Sequence, residues 1–210
     1  MKRYTTLALF AVFALVAAQA GATNLIQNGD FSSGFSNWTI GTTGNGTWGA
    51  GYPISTGWPL GGMSAAEGEV GEVSFTGLQE GGTLIQTFNS GGGAATVSLD
   101  WAVMGPGGNA DGGEFTILIN GLQVAQFDSG SINGGQLYNG VLTGNANLNA
   151  GSNTIEIDVT RQYITVPDGT PYQWVTGVDV EGTVPEPGSL ILMGSGVLGL
   201  AGVLRRKIGF

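Results

Sequence analysis

The 210-residue chain has no cysteine and no histidine. Without cysteine there is no disulfide framework, so stability has to come from packing alone or from packing with metal. Without histidine the commonest general base and the commonest transition-metal ligand are both missing. Positive charge is confined almost wholly to the ends: of six Lys and Arg, five are Lys2, Arg3, Arg205, Arg206 and Lys207, and only Arg161 lies between them. From Thr23 to Val184 that one cation stands against 14 of the 15 carboxylates, a net charge of 1 − 14 = −13. A surface of that sign repels phosphate backbones and anionic lipid, which argues against nucleic acid as a partner, while it attracts divalent cations and keeps a protein soluble. Helical patterning is lacking too, since no window of a dozen residues between the ends keeps a 3.6-residue apolar period.

What the ends do have is hydrophobic runs flanked by charge. Lys2 and Arg3 precede an apolar stretch from Tyr4 to Val16, and Ala18-Gln19-Ala20 or Ala20-Gly21-Ala22 offers a small-residue cleavage site. Residues 1–22 therefore read as a signal peptide cut after Ala22. At the other end Val184-Pro185-Glu186-Pro187-Gly188 leads into Leu190 to Leu204 and closes on Arg205-Arg206-Lys207. Pro185 and Pro187 hold their segment extended, so a helix can start only after them, with Ser189 as N-cap. The apolar run is about 15 residues, roughly 22 Å of helix at 1.5 Å per residue, short of the usual ~20 for a span and suited to a temporary anchor. The basic end would stay cytoplasmic, leaving everything before the span outside. Residues 185–210 resemble the PEP-CTERM sorting signal of Gram-negative bacteria. That resemblance implies export, recognition by an exosortase-type membrane transpeptidase and cleavage near the Pro-Glu-Pro triplet, with Pro185, Glu186, Pro187, Arg205, Arg206 and Lys207 as the sorting residues. An ordinary single-span anchor that is never cut is the alternative.

Between the signals, residues 23–184 are about 160 residues, enough for one domain that buries roughly two-thirds of its unfolded surface. Period-two alternation recurs there. Val97, Leu99, Trp101 and Val103 share one face of a strand over Thr96 to Met104, with Ser98, Asp100 and Ala102 on the other. Phe115, Ile117 and Ile119 repeat the pattern before Asn120-Gly121, a two-residue hairpin turn into Leu122 to Phe127, and Ile155, Ile157 and Val159 repeat it again. Further strands are expected at Asn37–Gly41, Val70–Gly77, Leu84–Asn89, Leu137–Thr143 and Tyr172–Glu181. Some eight to ten strands with Gly-rich turns predict an all-β protein, a single β-sandwich of jelly-roll type.

Asn24-Leu25-Ile26-Gln27-Asn28-Gly29-Asp30-Phe31, followed by Gly34-Phe35-Ser36-Asn37-Trp38, resembles the opening of galactose-binding-like jelly rolls, including many carbohydrate-binding modules. Val178-Asp179-Val180 is similar to that family's last strand, which lies beside the first. The resemblance implies a structural Ca²⁺ joining opening loop to last strand, with Asp30 and Asp179 as the matching oxygen ligands. The pattern departs where Ser32 replaces the family's usual Glu, and Asp30 can equally cap a turn. Sugar binding needs aromatic faces at a concave site. Trp38 and Trp101 fall in strand contexts and read as core. Trp48, Tyr52 and Trp58 fall in the Gly- and Pro-containing stretch Gly41 to Gly62, which reads as a long loop presenting rings, and Tyr138, Tyr172 and Trp174 could join them.

Catalytic signatures are lacking. Glu67-Gly68-Glu69 with Glu72 is the densest carboxylate group, but it reads as a solvated acidic loop, and no G-x-S-x-G nucleophile with a base occurs between the signals. Gly91-Gly92-Gly93 and Gly105-Pro106-Gly107-Gly108 lack the Lys and following helix of a phosphate loop. The expectation is an exported, surface-sorted, non-catalytic protein associated with extracellular polysaccharide or biofilm matrix, binding glycan through aromatics. The alternative is a purely structural matrix protein without a ligand pocket.

Overall fold

Two strands of 26 residues each organise the molecule. A computed structural model of the chain describes residues 23–44, 47–54, 65–69, 79–105, 110–162 and 171–182. In chain order its strands are β1 (Thr23–Asn24), β2 (Thr39–Thr42), β3 (Thr47–Ile54), β4 (Ala65–Glu69), β5 (Gln79–Met104), β6 (Ala110–Asp111), β7 (Glu114–Ile119), β8 (Leu122–Asp128), β9 (Ser131–Ile132), β10 (Leu137–Gln162) and β11 (Tyr172–Gly182). No helix occurs among the described residues. β5 and β10 pair antiparallel from Gln79↔Gln162 to Met104↔Leu137 without a register slip. The first half of β5 also pairs with β2, and the second half of β10 with β7, which carries β8. The second half of β5 pairs with β11, followed by β4 and β3. The long ribbon is thus shared by two layers that fold over each other as a β-sandwich, in agreement with the all-β expectation.

Glycine and one asparagine make that fold-over. Gly92, Gly93 and Gly151 have φ of +87°, +95° and +94°, the left-handed region that side chains avoid. Beside them Asn153, 1% exposed, has all its polar atoms engaged. Its Oδ1 accepts from the Asn149 amide at 2.9 Å and from Asn120 Nδ2 at 2.9 Å, and its Nδ2 donates to the carbonyls of Asn149 and Gly151 at 2.8 and 3.0 Å. The bent backbone groups find in one side chain the partners they would lose from the ladder.

The core lies between the layers. Val97, Leu99, Trp101 and Val103 from one layer meet Phe115, Ile117, Ile155, Ile157 and Val159 from the other, all buried. The Trp101 ring is 4.4 Å from that of Phe127 and 5.4 Å from that of Phe115. Trp38 is also buried and donates its indole N–H to the Asn28 carbonyl. Asn120 and Gly121, at φ +53° and +75°, form the expected two-residue turn between β7 and β8.

Two expectations need correction. Leu84–Asn89 and Thr96–Met104 are parts of one strand, as are Leu137–Thr143 and Ile155–Val159. Gly41 to Gly62 is not one long loop: it contains the second half of β2 and the whole of β3, which pairs with β4 around a register shift between Trp48 and Pro53. Proline is tolerated there because β3 is the edge strand of its layer and needs no N–H at that point. The strand expected at Val70–Gly77 lies outside the described residues.

Candidate glycan-binding face

Alternation on β11 turns Gln173 and Val175 inward and leaves Tyr172, Trp174 and Thr176 on the outer face of their layer. At Gly177 the register shifts by a bulge, with φ +58°. The extra residue resets the alternation, so Val178 and Val180 point into the core while Asp179 joins Thr176 on the outer face. On the neighbouring strand Ala102 lies opposite Trp174, Asp100 opposite Thr176, and Ser98 opposite Asp179.

The face has an aromatic end and a carboxylate end. Trp174 packs with Ala65 and Ala102, and with the partly buried Met104 and Leu137, in a cluster separate from the main core. Alanine on both neighbouring strands leaves room for the indole to lie down. Tyr172 stacks on Trp174 with centroids 5.8 Å apart and planes at 24°, and stays 38% exposed while Trp174 is 5% exposed. Trp174 Nε1 is buried with no hydrogen-bond partner. Along the face, Asp100 lies against the bulge, so close that a Cβ on Gly177 would stand 2.7 Å from its Oδ2. Burial raises the Asp100 carboxyl above its ordinary value. Asp179 is raised by burial first and then by Glu181, against a lowering bond from the Val180 backbone, and its Oδ1 is buried without a partner. Raised carboxyls on the same face as an exposed ring make this face a functional-site candidate.

Of the ring residues proposed from sequence, the structure brings Tyr172 and Trp174 together and places Trp48 and Tyr138 apart from them. Trp48 is 1% exposed, turned inward by β3 and lying over Gly82, so it belongs to the main core. Tyr52 lies in β3, but its side chain, like the whole of Trp58, falls outside the described residues. Tyr138 packs against the main core and bonds Gln136 through its hydroxyl. Asp100 was missed as a site residue. Its signal was there, a carboxylate at an outward position of an otherwise apolar strand, but nothing in the pattern says which layer's outer face matters.

The metal reading fits less well. Asp30 is exposed and its Oδ1 accepts from the Ser32 amide at 3.2 Å and hydroxyl at 2.9 Å, which is a turn cap. The opening segment is tied to the last strand by other groups. β1 pairs with the end of β11, the Val178 amide donates to the Gly29 carbonyl at 3.0 Å, and Asn24 Oδ1 accepts from the amides of Ile26 and Val180. Among the described residues no group of three acidic, cysteine or histidine side chains could hold a metal.

Residues 183–207 match the PEP-CTERM protein-sorting motif. The sorting residues Pro185 to Pro187 and Arg205 to Lys207 all fall inside that match, though outside the described residues. No curated protein matches the chain. Among solved structures the chain is similar to the TmCBM61 module in complex with β-1,4-galactotriose, at 13% identity and TM-score 0.44, covering 76% of this chain and 98% of that one. It is similar to a carbohydrate-binding module, CBM36, in complex with calcium and xylotriose, at 17% identity and TM-score 0.33, covering 68% and 97%. A family 35 carbohydrate-binding module from Clostridium thermocellum is similar at 19% identity and TM-score 0.33, covering 70% and 92%. At such identities the likeness is one of fold alone. Among the described residues no helix is long and apolar enough to cross a membrane.

Proposed function

We propose that this is an exported, surface-sorted, non-catalytic protein whose domain, residues 23–184, binds extracellular polysaccharide on the outer face of β11 and the second half of β5. Residues 1–22 direct export. The tail, residues 185–210, holds the protein briefly in the inner membrane through its apolar run until an exosortase-type transpeptidase acts near Pro185-Glu186-Pro187, and the product stays with the cell envelope or the matrix outside it. The observation that carries the binding reading is the Tyr172–Trp174 stack, a ring pair outside the main core whose upper member is 38% exposed. Trp174 covers one side of Tyr172 and fixes its tilt, leaving the other side for the apolar face of a sugar ring. Tyr52 and Trp58, in the segment preceding β4, extend the ring set in this reading.

The test is retention of the full chain, in non-ionic detergent, on a panel of immobilised polysaccharides. Binding to one polymer class that is lost in Tyr172→Ala at unchanged melting temperature supports the reading. Binding that Tyr172→Ala leaves intact removes this face from it. A folded chain that holds to no polymer leaves the structural matrix role.

A further inference from the structure

The carboxylate end of the face limits what polymer can lie on the aromatic end. Asp100, Asp179 and Glu181 all stand on this outer face, at register positions shared with Thr176, Ser98 and Thr96. The one cation between the two terminal signals, Arg161, is on the inner side of β10 and 6% exposed. No Lys or Arg therefore reaches this face from the described residues. Successive outward residues on a strand are about 7 Å apart, so Asp100 lies one step along β5 from the Ala102 that faces Trp174. A polymer stacked on Tyr172 and running along the strands passes over the carboxylates within a few adjoining sugar rings.

Two polar atoms on this face are buried and unpaired, one of each kind: the Trp174 Nε1 donor and the Asp179 Oδ1 acceptor. Both atoms are sealed beneath the face, so a ligand lying on it meets the accessible oxygens of Asp100, Asp179 and Glu181. Sugar hydroxyls can donate hydrogen bonds to those oxygens. They cannot neutralise Asp100 and Asp179, which burial already disfavours as anions, and a uronate would add like charge beside them. Ammonium groups on sugars lying over the carboxylates compensate them with charge-assisted bonds, while another ring of the same chain rests on Tyr172.

We infer that the polymer recognised on this face is an amino-sugar polymer with free ammonium groups, held by Tyr172 on one side and by Asp100 and Asp179 on the other. This rests on the glycan-binding reading above.

The experiment is calorimetric titration of the full chain in non-ionic detergent, at 0.15 M salt, with three probes: glucosamine oligomers, their fully N-acetylated counterparts, and oligogalacturonate. The expected result is glucosamine oligomers bound at least ~10-fold more tightly than the acetylated form and no binding of the uronate, a factor that corresponds to about 1.4 kcal/mol. Asp100→Asn with Asp179→Asn erases the preference. Glu114→Gln with Asp128→Asn, which removes the same charge from the opposite layer, preserves it. Both single substitutions of the first pair are close to isosteric and relieve buried charge, so an unchanged or raised melting temperature certifies the fold. If both pairs weaken amine binding equally, general attraction to an acidic protein explains it and the inference falls. If acetylated and free-amine oligomers bind alike, through Tyr172 but indifferent to Asp100 and Asp179, the inference falls while the glycan reading stands. Binding indifferent to Tyr172→Ala overturns both.

Discussion

Asp158 gives this protein a pH dependence of stability that one substitution can remove. Asp158 is half-buried on the outer face of the other layer, opposite Thr83 on β5 and Thr116 on β7, two residues beyond Glu156 on the same face. Burial, then the charge of Glu156, then a side-chain hydrogen bond with Glu156 push its carboxyl up to about 7. The folded state therefore keeps a proton that the unfolded chain releases near its ordinary value of 3.8. Between those two values the folded state binds more protons, so stability falls as pH rises from about 4 to about 7 and levels off above. The full difference corresponds to roughly 4 kcal/mol at 1.36 kcal/mol per pH unit, and solvent screening of a half-buried group reduces it to about 1–2 kcal/mol. In a domain of this size that is a fall in Tm of about 2–8 °C. Asp158→Asn keeps the shape and the hydrogen bond to Glu156 while removing the second charge. It should flatten this slope and melt higher than the wild type at pH 8 by about that amount, with little difference at pH 4.5. Asp100 and Asp179 are also raised and add slope of the same sign, so the comparison between variant and wild type isolates Asp158. Circular-dichroism melts from pH 4.5 to 8.5 decide it. Parallel curves, or a variant that melts lower at pH 8, would refute the assignment.

Asn153→Ala strips partners from Asn149, Gly151 and Asn120 at the ribbon bend and should cost about 2–4 kcal/mol, read from urea unfolding; a loss under 1 kcal/mol would show that water replaces the side chain. Gly177→Ala meets φ +58° and the Asp100 carboxylate at 2.7 Å, and should destabilise by about 1–3 kcal/mol and move the Tyr172 fluorescence environment; a neutral result would mean the bulge can reform elsewhere. Because Asn24 and Gly29 tie the opening segment to β11, millimolar Ca²⁺ added after chelation should leave the melting temperature within about 1 °C; a rise of several degrees would place an ion at Asp30 and Asp179.

Strand identity was legible wherever one face is apolar and the other is not. Val97, Leu99, Trp101 and Val103 fall into the core as their spacing requires, and Asn120-Gly121 makes the turn its dipeptide specifies. The union of two expected strands into β5 was hidden, because Gly91-Gly92-Gly93 reads as an interruption. What carries the strand through is pairing with β10, whose own bend Asn153 holds, and neither leaves a trace in the sequence around those glycines. β3 was hidden for the opposite reason: glycine and proline lower local preference, and only the partner β4 supplies the ladder that overrides it. The sorting motif is linear and so was readable in full. The candidate face is not, since Tyr172, Asp100 and Ala102 meet only through strand register, and Trp48 was drawn into the ring set by a loop that the fold replaces with a strand.

β11 holds the exposed ring at its first residue, Tyr172, and ends at Gly182, one residue before the sorting motif begins. It is paired to β5 along its length and to β4 and β1 on the other side. Under the proposed reading, a polymer drawn away from an anchored tail pulls on this strand end to end. The load is then carried in shear, with many ladder bonds resisting together, and does not open them one at a time from an edge. In that reading the strand that holds the ligand is also the tether, and tension between the cell and its surroundings would pass through its ladders into β5, β4 and β1.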